Sequence, residues 1–329
     1  MPISVFKYKC LADSQKDWAH LYNSNDELSP CCSFDFSKAI CSDLVYRMKA
    51  RIKPEVFGIS MNGNVVMIAA LAKCSDGYRM LADCNGSEYN QLTYSKDLSI
   101  DNLARCIRAL REYIHTPLIF NMLPSWGGNL QALNQLGATT LRLIDNATIR
   151  LAPFGNDHST YIASLSKNAR QNLRTAYNRL QRDGYVAQLH VTSKVTVQQL
   201  SKAIDLYSSR HAIRYGISDS WLRRFYLKHF NYSTKALQNS PEARHAILTI
   251  NGELAAFMMG YERNGRWIIP RLSVDDKWKF YSPGILLIDK VTEWLQTNRS
   301  NPELDLALGN EPYKYQMGAT TVKTAVIKL

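Results

Sequence analysis

The sequence predicts a mixed α/β unit built twice in one chain, and three observations predict it. The segment Gly137-Ala138-Thr139-Thr140-Leu141 returns 181 residues later as Gly318-Ala319-Thr320-Thr321-Val322. Upstream of each, Met61-Asn62-Gly63-Asn64-Val65 is echoed 189 residues on by Ile250-Asn251-Gly252-Glu253-Leu254. Between these anchors the apolar runs and turn signals come in the same order, the mark of a duplicated fold. At 329 residues the chain is too long for one ordinary core and fits two domains. The reading divides it into residues 1–152 and 153–329.

In the first half, Val56–Ser60 and Val65–Ala72 flank Asn62-Gly63, a strong type I′ hairpin signal. Tyr78–Asp83 follows a turn at Asp76-Gly77. Asp101–Ile114 places Leu103, Ala104, Ile107, Leu110 and Ile114 at helical spacing. Pro117–Met122 reads as a strand, Leu130–Leu136 as a short helix closed by Gly137, and Thr139–Leu151 as a long strand. The second half repeats this order: a hairpin of Ala246–Ile250 and Leu254–Tyr261, the strand Trp267–Val274, a helix Gly284–Thr297, the strand Leu304–Leu308, a turn Tyr313–Met317 closed by Gly318, and a last strand Thr321–Leu329. Each half is thus an α/β unit whose central helix joins two neighbouring strands.

A helical, basic segment, residues 160–235, is inserted at the start of the second half. Ser166–Asp183 sets Ala169, Leu173, Ala176 and Leu180 on one face and Lys167, Arg170, Arg174 and Arg182 on the other. Val197–Tyr215 carries Arg210, His211 and Arg214, and Ser220–Phe230 is aromatic and basic. The net charge of +12 concentrates here: residues 151–245 hold 14 Lys/Arg against 5 Asp/Glu, whereas residues 1–150 hold 16 against 14. That imbalance points to an anionic partner, namely a nucleotide, an acidic or phosphorylated sugar, or tRNA.

Composition excludes other classes. The seven cysteines show no CxxC and no regular spacing, which argues against a zinc site or a disulfide framework. The longest apolar run, Val65–Ala72, is far short of a membrane span, so no membrane insertion is expected. The N-terminus has no apolar h-region, and the expected location is the cytoplasm.

Five motifs in order carry a family resemblance: Ser166-Lys-Asn-Ala-Arg170-Gln-Asn-Leu-Arg174, Leu206-Tyr-Ser-Ser-Arg210-His211, Asn251-Gly-Glu-Leu-Ala255-Ala256, Tyr281-Ser-Pro-Gly284, and Leu304-Asp-Leu-Ala-Leu-Gly309-Asn-Glu311-Pro-Tyr313-Lys314. Together they resemble the GNAT-fold acetyltransferases related to the Fem-type aminoacyltransferases, a group often found beside polysaccharide-synthesis genes. The resemblance covers about residues 155–325. It implies two GNAT-like domains side by side, each a mixed, mostly antiparallel sheet with flanking helices. It also implies direct acyl transfer within a ternary complex.

Such transfer needs a phosphate cradle, donors for the carbonyl oxygen, and a base. The resemblance puts the cradle at Lys279-Phe-Tyr-Ser282-Pro-Gly284, after Ser273 and Val274. Pro283 and Ser282 depart from the family pattern there, and this puts CoA in question. For catalysis the reading selects Asp305, at the end of an apolar strand, with Glu311, Tyr313 and Lys314 on one short turn. Arg170, Arg174, Arg210 and Arg214 suit an anionic or carbohydrate acceptor. The first domain has an acid, Asp101, at its corresponding helix start, and is expected to shape the acceptor cleft without a donor site of its own.

The leading activity is acetyl-CoA-dependent N- or O-acetylation of a sugar, sugar nucleotide or similar small acceptor, with no metal. A Fem-like aminoacyl-tRNA-dependent transferase acting on a cell-wall precursor is the alternative, and a non-catalytic GNAT-like binding protein is the third. Acceptor, acyl group and oligomeric state are not legible in the residues.

Overall fold

A computed structural model of the chain describes residues 2–42, 54–85, 88–214, 216 and 240–329. It forms two compact units, Met1–Ile144 with Lys323–Leu329, and Asp145–Val322. The division falls inside a long strand, β7 (Thr139–Arg150), and the last strand, β13 (Thr320–Lys328), returns to the first unit. The expected boundary at 152 put each strand wholly on one side. Pairing explains the difference: the end of β7 bonds to a second-unit strand, and the end of β13 bonds to a first-unit strand.

In the first unit the sheet order is β1 (Ile3–Lys7), β2 (Pro54–Met61), β3 (Asn64–Cys74), β4 (Gly77–Met80), β6 (Leu118–Pro124), β13. The two-residue β5 (Thr93–Tyr94) pairs with β3. Here β4 and β6 run parallel, while β1–β2, β2–β3, β3–β4, β3–β5 and β6–β13 are antiparallel. Helices α1 (Gln15–Ser24) and α2 (Phe34–Ser42) precede β2 and were not expected from the periodicity. Helix α3 (Ile100–Ile114) begins where the Ser99 hydroxyl accepts from the Asn102 N–H, and buries Leu103, Ala104, Ile107 and Leu110. Helix α4 (Gly128–Gln135) follows β6.

The second unit has the order β7, β12 (Glu303–Leu308), β11 (Arg266–Val274), β10 (Glu253–Arg263), β9 (Ala243–Ile250), β8 (Ala187–Thr192). Only β11 and β12 are parallel. Helices α5 (His158–Ser164) and α6 (Lys167–Arg182) pack with α8 (Pro283–Asn298) on one face, in a core that includes Leu173, Leu180, Trp267, Ile288 and Leu295. On the other face, α7 (Val197–Arg214) buries Leu200 and Ala203 against Ile247, Phe257 and Met259. The short helix α9 (Pro312–Gln316) leads into β13. The expected helix 220–230 lies outside the described residues.

The repeat holds in backbone detail. Asn62 and Asn251 share φ 51°, and the glycines after them stand at 82° and 80°, as a type I′ turn requires. Both short helices end alike. Gly137 N–H donates to Asn134 O and Ala138 N–H to Leu133 O; Gly318 N–H donates to Tyr315 O and Ala319 N–H to Lys314 O.

Candidate functional site

Each unit has a wedge where its two parallel strands separate. In the second unit, β11 and β12 pair at Arg266–Glu303, Trp267–Leu304 and Ile268–Asp305, after which β11 continues to Val274 without that partner. In the first, β4 and β6 pair at Tyr78–Leu118 and Arg79–Ile119 only. Beyond the last pair, the departing strand carries a one-residue bulge. Between Asp305 and Leu308, β12 advances three residues while β7 moves from Thr148 to Asn146. Between Phe120 and Leu123, β6 does the same against β13. The bulge residues Ala307 and Met122 both take a left-handed conformation, φ 54° and 55°. Pro270 stands in β11 just past Ile268; a proline inside a strand belongs at an edge or bulge, so it marks the start of the wedge in the sequence.

The two bulges are stabilised by different chemistry. In the first unit the chain fills its own wedge. Asn90 donates from its side-chain Nδ2 to Asn121 O (2.8 Å) and from its main chain to Met122 O (3.2 Å). Leu92 is held through main-chain N–H and C=O by the side chain of Asn129 on α4. Tyr89, Asn90, Gln91 and Leu92 are all buried. This self-filled wedge and the acid at Asp101 both weigh against a donor there.

In the second unit no chain segment plays that part among the described residues. A lysine does. The ammonium of Lys314, on α9, lies 2.8 Å from Leu306 O, 3.4 Å from Ala307 O, 2.8 Å from Leu308 O and 3.3 Å from Gly309 O. The Glu311 carboxylate completes the cage at 3.1 Å. Asp305 accepts from the Ala307 N–H at 2.8 Å, which pins the bulge from the other side. Gly309 has φ 112°, and a Cβ there would stand 2.5 Å from the Glu311 carboxylate, so only glycine lets that carboxylate fold over the ammonium.

The residues expected to be catalytic are therefore gathered, but two face inward. Lys314 and Asp305 are 3% and 1% exposed; both bond main-chain atoms of the bulge, and Lys314 also meets Glu311. Tyr313 is partly buried and packs against the second-unit core. Glu311 and Tyr313 are both half-buried, and Glu311 is the one carboxylate of the four that keeps a partly exposed side chain.

The expected phosphate cradle is largely self-satisfied. Ser282 N–H donates to Lys279 O, Pro283 has none, and Ile285 and Leu286 N–H both turn to Ser282 O. Only the Gly284 N–H of this turn is left without an acceptor, where a pyrophosphate normally meets several. Ser282 is left-handed (φ 53°) and makes no side-chain cap. Gly284 has a packing role: a Cβ there would sit 3.2 Å from Val274 Cγ1. Ser273 is buried, its hydroxyl 3.4 Å from Ala203 O, and Lys279 is exposed.

The four arginines do not converge. Arg170 donates to the carbonyls ending α5, Ala163 O (2.8 Å) and Leu165 O (2.5 Å). Arg174 projects to solvent from α6, and Arg210 is exposed on α7; the side chains of His211 and Arg214 lie outside the described residues. Periodicity did not single out Arg179. Its guanidinium donates to Phe280 O (2.7 Å) and lies 4.3 Å from the Phe280 ring, with Arg182 at 5.5 Å from the same ring. Arg271 is buried over Tyr207, and Asp275 is ion-paired with Lys202.

On the α7 face, His245 is 2% exposed and neither ring nitrogen finds a partner. Burial, with help from Arg244, lowers its pKa to about 4. The unfolded chain therefore takes up this proton first as pH falls below 6.5, and the fold loses about 3 kcal/mol by pH 4. His245→Phe is expected to flatten the acid side of the stability profile; an unchanged urea midpoint profile from pH 7 to 4 would contradict this.

Taken together, the tandem wedges, the parallel strand pair in each unit and the following helices define the GNAT-type fold, present here twice. Residues 167–315 match the family model described as an acetyltransferase (GNAT) domain. Across the whole chain the fold resembles the crystal structure of FemX (TM-score 0.66, 8% identity, covering 100% of this chain and 97% of that one). It also resembles the C-terminal domain of a putative lysylphosphatidylglycerol synthetase from Agrobacterium fabrum (0.57, 9% identity, 97% and 92%). A tandem GNAT protein from the clavulanic acid biosynthesis pathway is similar as well (0.52, 12% identity, 100% and 98%). No curated protein matches the chain in sequence. Among the described residues, no three His, Cys, Asp or Glu side chains are placed to hold a metal ion, and no helix is long and apolar enough to cross a membrane.

Proposed function

We propose that the second unit transfers an acyl group from a carrier to an amine or hydroxyl acceptor, with the acyl arm lying in the wedge between β11 and β12. The observation that carries this is the bulged wedge, prearranged by Asp305 and Lys314, in the segment that matches the GNAT domain. In one ternary complex the acceptor attacks the acyl carbonyl, a new C–N or C–O bond forms, and the acyl–carrier bond breaks. The proton lost by the acceptor ends on the leaving atom of the carrier. Glu311 is the group placed to relay it.

The carrier we favour is aminoacyl-tRNA. A CoA pyrophosphate would meet one free N–H at the start of α8, too few for a cradle of the usual kind. The Fem-type resemblance implies the same donor. Acyl-CoA is the second reading, supported by the acetyltransferase domain match. With this donor the acceptor is a cell-wall precursor; with acyl-CoA it is a sugar, sugar nucleotide or similar small molecule.

Two assays decide. Thiol release from acetyl-CoA and loss of label from aminoacyl-tRNA are followed over a panel of amino sugars, sugar nucleotides and cell-wall precursors. Turnover with tRNA and none with acetyl-CoA supports the favoured donor; the reverse supports the second; turnover with neither counts against acyl transfer. Glu311→Gln is expected to lower kcat about 100-fold and remove the acid limb of the pH–rate profile. An unaltered profile would exclude Glu311 as the relay.

A further inference from the structure

The exposed face of α6 is a row of cations. Lys167, Arg170, Arg174, Arg179 and Arg182 fall within this one helix, which contains no acidic residue. The buried stripe Ala169, Leu173, Ala176 and Leu180 sets Lys167, Arg174 and Arg182 on the opposite arc, with Arg170 and Arg179 on its two flanks. At 1.5 Å per residue the row extends roughly 22 Å. Among the described residues, only Arg182 of these cations has a carboxylate partner, Asp183 at 2.7 Å, and Lys167 and Arg174 show none.

The row ends at a specific place. Arg179 fixes the turn before α8 through Phe280 O, and the Phe280 ring is 49% exposed between two guanidiniums. Exposed Lys279 directly precedes Phe280, and the unbonded Gly284 N–H lies four residues after it. The basic row is thus continuous with the mouth expected to receive the carrier. A diphosphate can engage two or three of these cations, whereas a row of this length suits a polyanion. Flat guanidinium and aromatic surfaces beside the cations suit unpaired bases, which stack on them. An anionic membrane fits less well, because the ring is clasped between arginines rather than set at the tip of an apolar face.

We infer that this face docks RNA, with Lys167 and Arg174 on the phosphate backbone and Phe280–Arg179 under the unpaired 3′ end. The inference rests on the tRNA-donor reading for its purpose, but it is tested separately, by binding. The full chain is titrated with fluorescent deacylated tRNA, with the same tRNA lacking its single-stranded 3′ end, and with anionic vesicles, over a range of salt. Wild type is expected to bind tRNA with a steep salt dependence, and Lys167→Ala/Arg174→Ala to shrink the log–log slope by about 2 for both RNAs. Phe280→Ala should weaken intact tRNA about tenfold and truncated tRNA hardly at all. All three positions are exposed, and thermal unfolding checks that the variants fold. Arg105→Ala/Arg108→Ala on α3 is the charge control.

Several outcomes overturn the inference: no tRNA binding at low salt, unchanged slopes in the α6 variant, equal losses in the α3 control, or binding to vesicles alone. Transfer from aminoacyl-tRNA that survives the α6 and Phe280 changes overturns the surface and leaves the donor reading standing. tRNA binding that these changes weaken, with turnover only from acetyl-CoA, supports the surface and ends the donor reading.

Discussion

Lys314→Met is expected to destabilise the second unit by about 3–5 kcal/mol, the range for removing one partner from a buried charged cluster. Methionine keeps the length and apolar character of the stem, so the loss reports the ammonium. Without it, the carbonyls of Leu306, Ala307, Leu308 and Gly309 lose their shared donor, and the Glu311 carboxylate loses its counter-charge. Unmet buried acceptors cost about 1–3 kcal/mol each when water cannot replace the donor, less where the bulge relaxes towards solvent. Lys314→Arg is not expected to rescue: a planar fork cannot centre one nitrogen among four carbonyls. The check is the urea midpoint of the unfolding transition that includes this unit, with the slope monitored for change. A shift below about 1 kcal/mol would mean the bulge is held by Asp305 alone. The first unit provides the comparison, since Leu133 begins the same C-terminal motif there and its bulge carbonyls are met by Asn90 instead. One fold has solved the same problem twice. One solution fills the wedge with chain and the other caps the bulge carbonyls with a lysine, so the two copies diverge in chemistry at the bulge.

What the sequence made legible follows from what kind of physics each feature uses. The hairpins at Asn62-Gly63 and Asn251-Gly252 and the helix ends at Gly137 and Gly318 depend on local backbone conformation, which those residues report directly. The strands of the repeat and the helices α3, α6 and α8 follow the spacing of apolar residues. Edge strands β1 and β8 alternate only partly buried positions, and their signal is weak. The role of Lys314 was out of reach because its main partners are backbone carbonyls, which leave no trace in side-chain pattern. Its spacing from Glu311 suggested a pair on a surface turn; the structure closes that pair over a bulge. The filling of the first wedge by Tyr89–Leu92 has no periodicity to read. Pro270 was a usable signal, since an otherwise apolar central strand had no other reason to contain a proline.

Asp289 organises a second buried network, and its removal should cost about 3 kcal/mol or more. Its carboxylate accepts from Tyr177 on α6 at 2.6 Å and lies 2.9 Å from His158 Nε2 on α5, so one acid on α8 holds both neighbouring helices. The other ring nitrogen of His158 faces Gln296 Oε1 at 3.0 Å. Gln296 uses its Nε2 to donate to Gly155 O at 2.9 Å, which fixes the oxygen toward the imidazole. Both ring nitrogens therefore meet acceptors, and the arrangement suits imidazolium. Burial alone would depress the His158 pKa, but the bonds to Asp289 and Gln296 outweigh it and hold the group above 6.5. This stability is fully present below the unfolded value of 6.5 and is lost as pH rises through the raised folded value. His245 has the opposite sign and acts on the acid side, so the two histidines contribute opposite slopes to the stability profile. Asp289→Asn keeps the shape but withdraws the charge. It should bring the His158 titration, followed by NMR of the ring protons, down to or below the ordinary range and flatten the alkaline slope while leaving the acid slope intact. If His158 titrates in Asp289→Asn as in the wild type, the carboxylate is not what holds its proton, and the alkaline slope must come from another group.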